Sequence, residues 1–434
     1  MKGPIQASPA GPNDLAGRLP SIAEPAWRTA ACLLLTLAAI QLALGPKIQL
    51  SQWTVTAHDN AALAEGAAWL DGRLDIPHPG RDAAHDRMHD TAYFDGKVFN
   101  VFPPMMTLLT VLLAPLHRML IGDAGQWLQT PFVLAVYWPL PLLGFLVFRK
   151  QVGDSAWAGL LTLAWMGGTA VLPNLAFART GYLGQINHVL SQTGLLLVAA
   201  DIVGRKRIWP GLIGLAISAW SRQMTALYAL PLLFVARGRR RLGLCLAGVA
   251  VIAAPLLTLN YLKFGNPLDF GYQHIYVNRS EEPMADRCRD FGVFSSRFIG
   301  ENLWYIFFAP PTVEDISPTN VKIEPVNSMG TGLFATTPLA MYMFLGARGW
   351  WPDRNRRLLV FGSAAVIVGL LFYHSPGYLQ SGYNRFALDF LPVWFVVFAG
   401  QTRGEWRTWL TLACAAYSLL YFQAIVPDGP IISR

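Results

Sequence analysis

Residues 47–100 read KIQLSQWTVTAHDNAALAEGAAWLDGRLDIPHPGRDAAHDRMHDTAYFDGKVFN, and they govern how the rest of the chain is read. The stretch holds eight of the 26 acidic residues and four of the eight histidines in a chain of 434 residues. An apolar helix over 30–44 precedes it, and hydrophobicity returns near Val101. A polar segment enclosed by apolar runs reads as a cap outside a membrane, and chemistry is expected there.

Working outward, 53% of residues are hydrophobic, 14% are charged, and apolar runs of spanning length recur along the chain. These features predict an all-α polytopic membrane protein. Residues 1–27 form a Pro/Gly-rich polar tail, read as cytoplasmic and disordered, while 28–434 form the integral membrane domain. No convincing small-residue cleavage site follows the first helix, so it reads as a retained anchor. The net charge of +8 does not point to nucleic acid, because the basic residues cluster in short loops between apolar helices.

Those clusters give a topology. Spans are expected at 28–46, 130–149, 156–173, 188–204, 208–221, 223–236, 242–262, 331–347, 358–372, 386–400 and 407–425, eleven in all. With the amino terminus inside, Arg149-Lys150, Arg205-Lys206-Arg207, Arg237 to Arg241, Arg348 to Arg357 and Arg403 to Arg407 are all cytoplasmic. The count requires 101–118, which carries Pro103, Pro104 and Pro115, to be a surface or re-entrant helix that does not cross. Outer loop 47–100 and this helix then form one cap. Outer loop 263–330 reads as the acceptor-side loop, expected to carry a surface helix and a flexible lid. Cys32, Cys245 and Cys414 fall in apolar helices, leaving Cys288 alone in an outer loop, so the chain offers no disulfide framework.

Within the first loop, the alanines after Asn60 predict a short helix over 60–71 that Gly72 can end. Asp59 stands at its amino-terminal end, where a carboxylate either caps the helix, with Thr56 in support, or serves as a general base toward a hydroxyl. Asp82, Asp86 and Asp90 recur every four residues, as do His85 and His89. A solvated charged face explains this pattern, and a divalent-metal site at His85, Asp86 and His89 is the alternative. Arg222 interrupts two apolar segments, so it either meets an anion such as a lipid phosphate or reaches out to a headgroup.

The run from Asp59-Asn60 through AALAEGAAWLDGRL, then His89-Asp90-Thr91-Ala92-Tyr93 and Gly96-Lys97 to Phe102-Pro103-Pro104, resembles the first outer loop of a known family. These are the polyprenyl-phosphate-sugar-dependent glycosyltransferases of the GT-C fold, related to protein O-mannosyltransferases and the lipid A aminoarabinose transferase. Phe264-Gly265-Asn266-Pro267 with Gly271-Tyr272, and Gly382-Tyr383-Asn384-Arg385-Phe386, are similar to further segments of that family. The resemblance implies a membrane enzyme that moves a sugar from a polyprenyl-phosphate donor to a hydroxyl on a glycan, lipid or protein acceptor. Asp59 would be the catalytic base, with Asp90, Lys97, Arg222, Tyr383 and Arg385 contacting substrate. Many relatives carry an Asp-Glu pair where this chain has Asp59-Asn60. The implied location is a bacterial inner membrane, with the active site on the extracytoplasmic face. Arg385 is alternatively read as pairing with Asp389, one helical turn on. A transporter or flippase, and a non-catalytic membrane scaffold, remain as other classes.

Overall fold

The structure, a computed structural model, describes residues 24–47, 54–56, 60–77, 91–122, 126–128, 133, 135–177, 186–204, 207–275, 283–317, 320–325, 330–377 and 382–426. The chain opens with α1 (Ala26–Leu44), β1 (Thr54–Thr56) and α2 (Ala61–Leu70), followed by β2 (Thr91–Phe94), β3 (Lys97–Asn100), α3 (Met105–Ile121) and β4 (Gln126–Leu128). Next come α4 (Pro139–Val152), α5 (Ser155–Gly167), α6 (Val171–Phe177), α7 (Ile186–Val203) and α8 (Trp209–Ser221). A 3-10 turn over Gln223–Tyr228 leads into α9 (Ala229–Val235) and α10 (Arg239–Phe264). Beyond it lie α11 (Tyr272–Ile275), α12 (Pro283–Phe291), α13 (Ile299–Leu303), β5 (Pro311–Ser317) and β6 (Asn320–Pro325). The chain continues through α14 (Leu333–Thr336), α15 (Tyr342–Leu345), α16 (Ala347–Trp350), α17 (Arg354–Phe372), α18 (Leu391–Phe398) and α19 (Glu405–Ile425).

Among the described residues five helices are long and apolar enough to cross a membrane: α1, α7, α10, α17 and α19. Several stretches expected as single helices are interrupted. The expected span 331–347 is α14, a 3-10 turn opened by Pro338, then α15 and the start of α16. Proline lacks the N–H that a continuous helix needs at that point. The polarity of the bundle is that of a membrane protein. Leu34, Leu35 and Leu42 of α1, Val251 and Leu262 of α10, and Trp409 and Leu420 of α19 are all exposed.

The centre is α7, buried along most of its length, with Leu195, Leu196, Val198 and Ile202 fully enclosed. It crosses α8 at paired glycines. A Cβ on Gly194 would lie 2.4 Å from the carbonyl oxygen of Gly214, and one on Gly214 would lie 2.5 Å from that of Gly194. Side chains are absent where the backbones meet, so the two helices approach closely.

Polar contacts tie the basic segments together at one end of this bundle. Glu24, just ahead of α1, pairs with Arg28 and reaches Arg149 at the end of α4. Asp154 caps α5 through the Trp157 N–H and lies 3.5 Å from Arg403, between α18 and α19. Arg356 of α17 donates to the Val397 carbonyl of α18 and to Gln151 of α4, while Arg354 donates to the Phe234 carbonyl of α9. At the opposite end, Lys47 donates to the carbonyls of Gln423 and Val426, and Gln423 donates to that of Ala43, fastening α1 to α19.

The segment between α1 and α4 is not purely helical. β1 pairs with β4, and β2 with β3, both antiparallel. The second ribbon turns on Asp95 (φ 48°) and Gly96 (φ 72°), the left-handed pair that an Asp-Gly hairpin turn requires. In the segment between α10 and α14, α12 carries exposed Asp286, Arg289 and Asp290. Further along, Pro311–Ser317 and Asn320–Pro325 pair into the antiparallel ribbon β5–β6.

Candidate functional site

Helix α2 begins on Asn60, whose Oδ1 accepts from the backbone N–H groups of Ala62 (3.0 Å) and Leu63 (3.2 Å). The capping task open to Asp59 in the sequence is therefore taken by its neighbour. Asp59, Asp90, His85, Asp86 and His89 lie outside the described residues. Among the described residues no three His, Cys, Asp or Glu side chains gather as metal ligands do.

The helix carries a fully buried carboxylate, Glu65. It pairs with Lys263 in the last turn of α10 and accepts from Asn100 Nδ2 (2.8 Å) and Thr107 Oγ1 (2.5 Å). Lys263 Nζ also donates to the Asn100 carbonyl at 2.9 Å. This network binds α2, β3 and the first turn of α3 to the carboxyl-terminal end of α10. Its signal in the sequence is a carboxylate in AALAEGAAWL, a helix with no polar face to hold it in water.

A second buried network lies where α8 gives way to the 3-10 turn. Arg222 Nε and Nη2 donate to Asp389 at 3.0 to 3.3 Å, and His188 Nδ1 of α7 sits 3.8 Å from the same carboxylate. The arginine side chain is 11% exposed, so it does not reach out to a headgroup. The expected pairing of Arg385 with Asp389 is replaced by this one. Residues 385–389 form a 3-10 turn of three residues per turn, in which positions four apart do not share a face. Arg385 instead lies over the Phe386 ring, with its charge still acting on Asp389.

Arg222 also lines a cavity of about 600 Å³. The floor and one side are Arg222, Gln223, Met224 and Leu227; the second wall is the Asn266–Gln273 segment after α10; the third is Val293, Phe294, Leu370 and Tyr373. Most of the lining is apolar, and its polar members are Arg222, Gln223, Asn266, Asp269, Gln273 and the two tyrosines. Behind Tyr373, burial next to the Arg287 cation pulls His374 down to about 3, so its ring is neutral. A smaller cleft bounded by Asn100, Pro103, Pro104 and Lys263 shares Gln223 and Phe270 with the cavity, which makes the cap and the cavity neighbours.

Of the residues singled out in the sequence, the structure brings Arg222 and Tyr272 to this cavity. Lys97 is exposed at the β2–β3 turn and Tyr383 is buried in the helical core; neither lines it, nor does Arg385. Sequence reasoning missed Glu65, Lys263, Asp269 and His274, and it offered Arg385 rather than Arg222 as a partner for Asp389. Against models of protein families, curated proteins and solved structures, the chain matches none.

Proposed function

We propose that the protein is an integral membrane glycosyltransferase of the GT-C type, moving a sugar from a polyprenyl-phosphate donor to a hydroxyl acceptor on the outer face of a bacterial inner membrane. The observation that carries this reading is the cavity. It joins a buried cation, Arg222, to a mostly apolar lining with polar side chains in it, and the neighbouring cleft connects it to Asn100, Pro103 and Pro104 of the cap. A lipid phosphate bearing a sugar needs a cation, an apolar surface and polar groups together.

Eleven passes are proposed: α1, α4, α5 with α6, α7, α8, the 3-10 turn with α9, α10, α14 to α16, α17, α18 and α19. Their support is the gathering of basic segments at one end of the bundle. Helix α3 stays on the outer side in this topology. Its first turn is tied through Thr107 to Glu65, and β4, which follows it, pairs with β1 of the cap.

In the reaction the acceptor oxygen attacks the anomeric carbon, Asp59 takes the hydroxyl proton, and the bond from that carbon to the phosphate oxygen breaks. The electron pair leaves with the polyprenyl phosphate. Arg222 meets the phosphate. Its Nε and Nη2 are held by Asp389, so the guanidinium is fixed before the ligand arrives. Purified protein in lipid, given radiolabelled polyprenyl-phosphate sugars, is expected to transfer or hydrolyse the sugar, with at least a hundredfold loss in Asp59→Asn. Retained turnover in that variant rejects the assignment of the base.

One observation favours a second reading, movement of a lipid-linked or small polar substrate: the ion pair Arg222–Asp389 is buried among helices, as in many transporters. Flipping of a fluorescent polyprenyl phosphate in liposomes, undiminished in Asp59→Asn, would support that reading over transfer.

A further inference from the structure

The cavity's second wall contains a carboxylate to which the proposed chemistry gives no task. The segment after α10 reads GNPLDFGYQH over 265–274 and folds into successive tight turns. Gly265 (φ 70°) ends the helix, and Asn266 Oδ1 accepts from the Leu268 N–H. Asp269 Oδ1 accepts from the Gly271 N–H at 2.8 Å. Gly271 itself has φ 80°, and a Cβ there would come within 2.5 Å of the Phe264 ring. Only glycine permits the turn that presents Asp269 on the cavity wall.

The other carboxylate oxygen, Oδ2, lies 2.8 Å from His274 Nε2 and accepts from Gln273 Nε2 at 2.9 Å. The imidazole is held in turn by aromatic neighbours, Phe94 of β2 at 4.7 Å and Phe264 of α10 at 5.5 Å between ring centres. Asp269 is thus oriented from both of its oxygens, and its side chain is only 10% exposed. A carboxylate offers about four acceptor positions, and the protein fills three of them. The remaining position is available to a ligand that brings a donor, and Asn266 and Gln273 line the same cavity. A phosphate would be repelled by this wall, whereas a ring hydroxyl is suited to it.

We infer that Asp269, positioned by His274, is a specificity-determining residue that binds a ring hydroxyl of the sugar headgroup while Arg222 holds the phosphate. The inference rests on the lipid-phosphate-sugar reading of the cavity, and its test is one of binding without turnover. Full-length protein in lipid nanodiscs would be titrated with bare polyprenyl phosphate, polyprenyl-phosphate mannose and polyprenyl-phosphate glucose. Wild type is expected to bind at least one glycosylated lipid about tenfold more tightly than the bare lipid, as a hydrogen bond to a charged acceptor allows. Asp269→Asn should erase that preference while leaving affinity for bare polyprenyl phosphate unchanged. His274→Phe, which keeps a ring between Phe94 and Phe264, should reduce the preference about threefold. A wild type that does not prefer a glycosylated lipid, an unaltered preference in Asp269→Asn, or an equal loss toward the bare lipid overturns the inference. Because no turnover is measured, a failure of the Asp59 assignment leaves this result unaffected.

Discussion

At the scale of single residues, the buried ion pair Arg222–Asp389 sets the strongest expectation. Asp389 is fully enclosed, so removing its partner alone strands a carboxylate among helices. Arg222→Met and Asp389→Leu singly should each cost about 3 to 5 kcal/mol, and the double variant clearly less than their sum. Thermal unfolding in detergent would measure this; additive losses would mean that the two groups do not act as a pair. The pairing was hidden in the sequence because Arg222 and Asp389 are 167 positions apart. Arg385, four positions from Asp389, supplied a plausible local partner. Asp59 was legible only as a choice between cap and base, and the Asn60 cap removes the first option for helix α2.

Among elements, the crossing of α7 and α8 depends on the absence of two side chains. Gly194→Leu must push the helices apart or displace Ser218, whose backbone N and Cβ would lie 2.6 and 2.8 Å from a Cβ at that position. A loss of about 2 to 4 kcal/mol is expected, against a near-neutral Gly243→Leu, where a Cβ meets nothing within 4 Å. Equal stability of the two variants would refute the close crossing. The long helices were legible because twenty apolar residues have few alternatives. The Asp95-Gly96 hairpin also had its signal in the sequence, since TAYF and KVFN flank a two-residue turn of the right type. The β1–β4 ribbon had none, because its strands are three residues each and 69 positions separate the end of β1 from the start of β4.

For the whole molecule, the proposed course of α3 is open to direct test. Its exposed face includes Leu120, close to the helix end. Leu120→Cys in an otherwise cysteine-free chain should react with an impermeant maleimide added outside intact spheroplasts; labelling only after the cells are opened would overturn the eleven-pass topology. The basic clusters carried the topological reading because charge bias acts on whole loops and tolerates errors in helix boundaries. The cavity was not readable in the same way. Its walls come from α8 and the turn beyond it, the segment after α10, and the end of α17, which only the folded chain brings together. The two ends of the bundle also differ in the exposure of their ion pairs. The ion pairs Arg149–Glu24 and Arg403–Asp154 at the basic end are partly exposed, whereas the pair Lys263–Glu65 at the other end is buried. Ionic strength therefore acts on the molecule asymmetrically: added salt weakens the partly exposed pairs at the basic end and leaves the buried Lys263–Glu65 pair at the other nearly untouched.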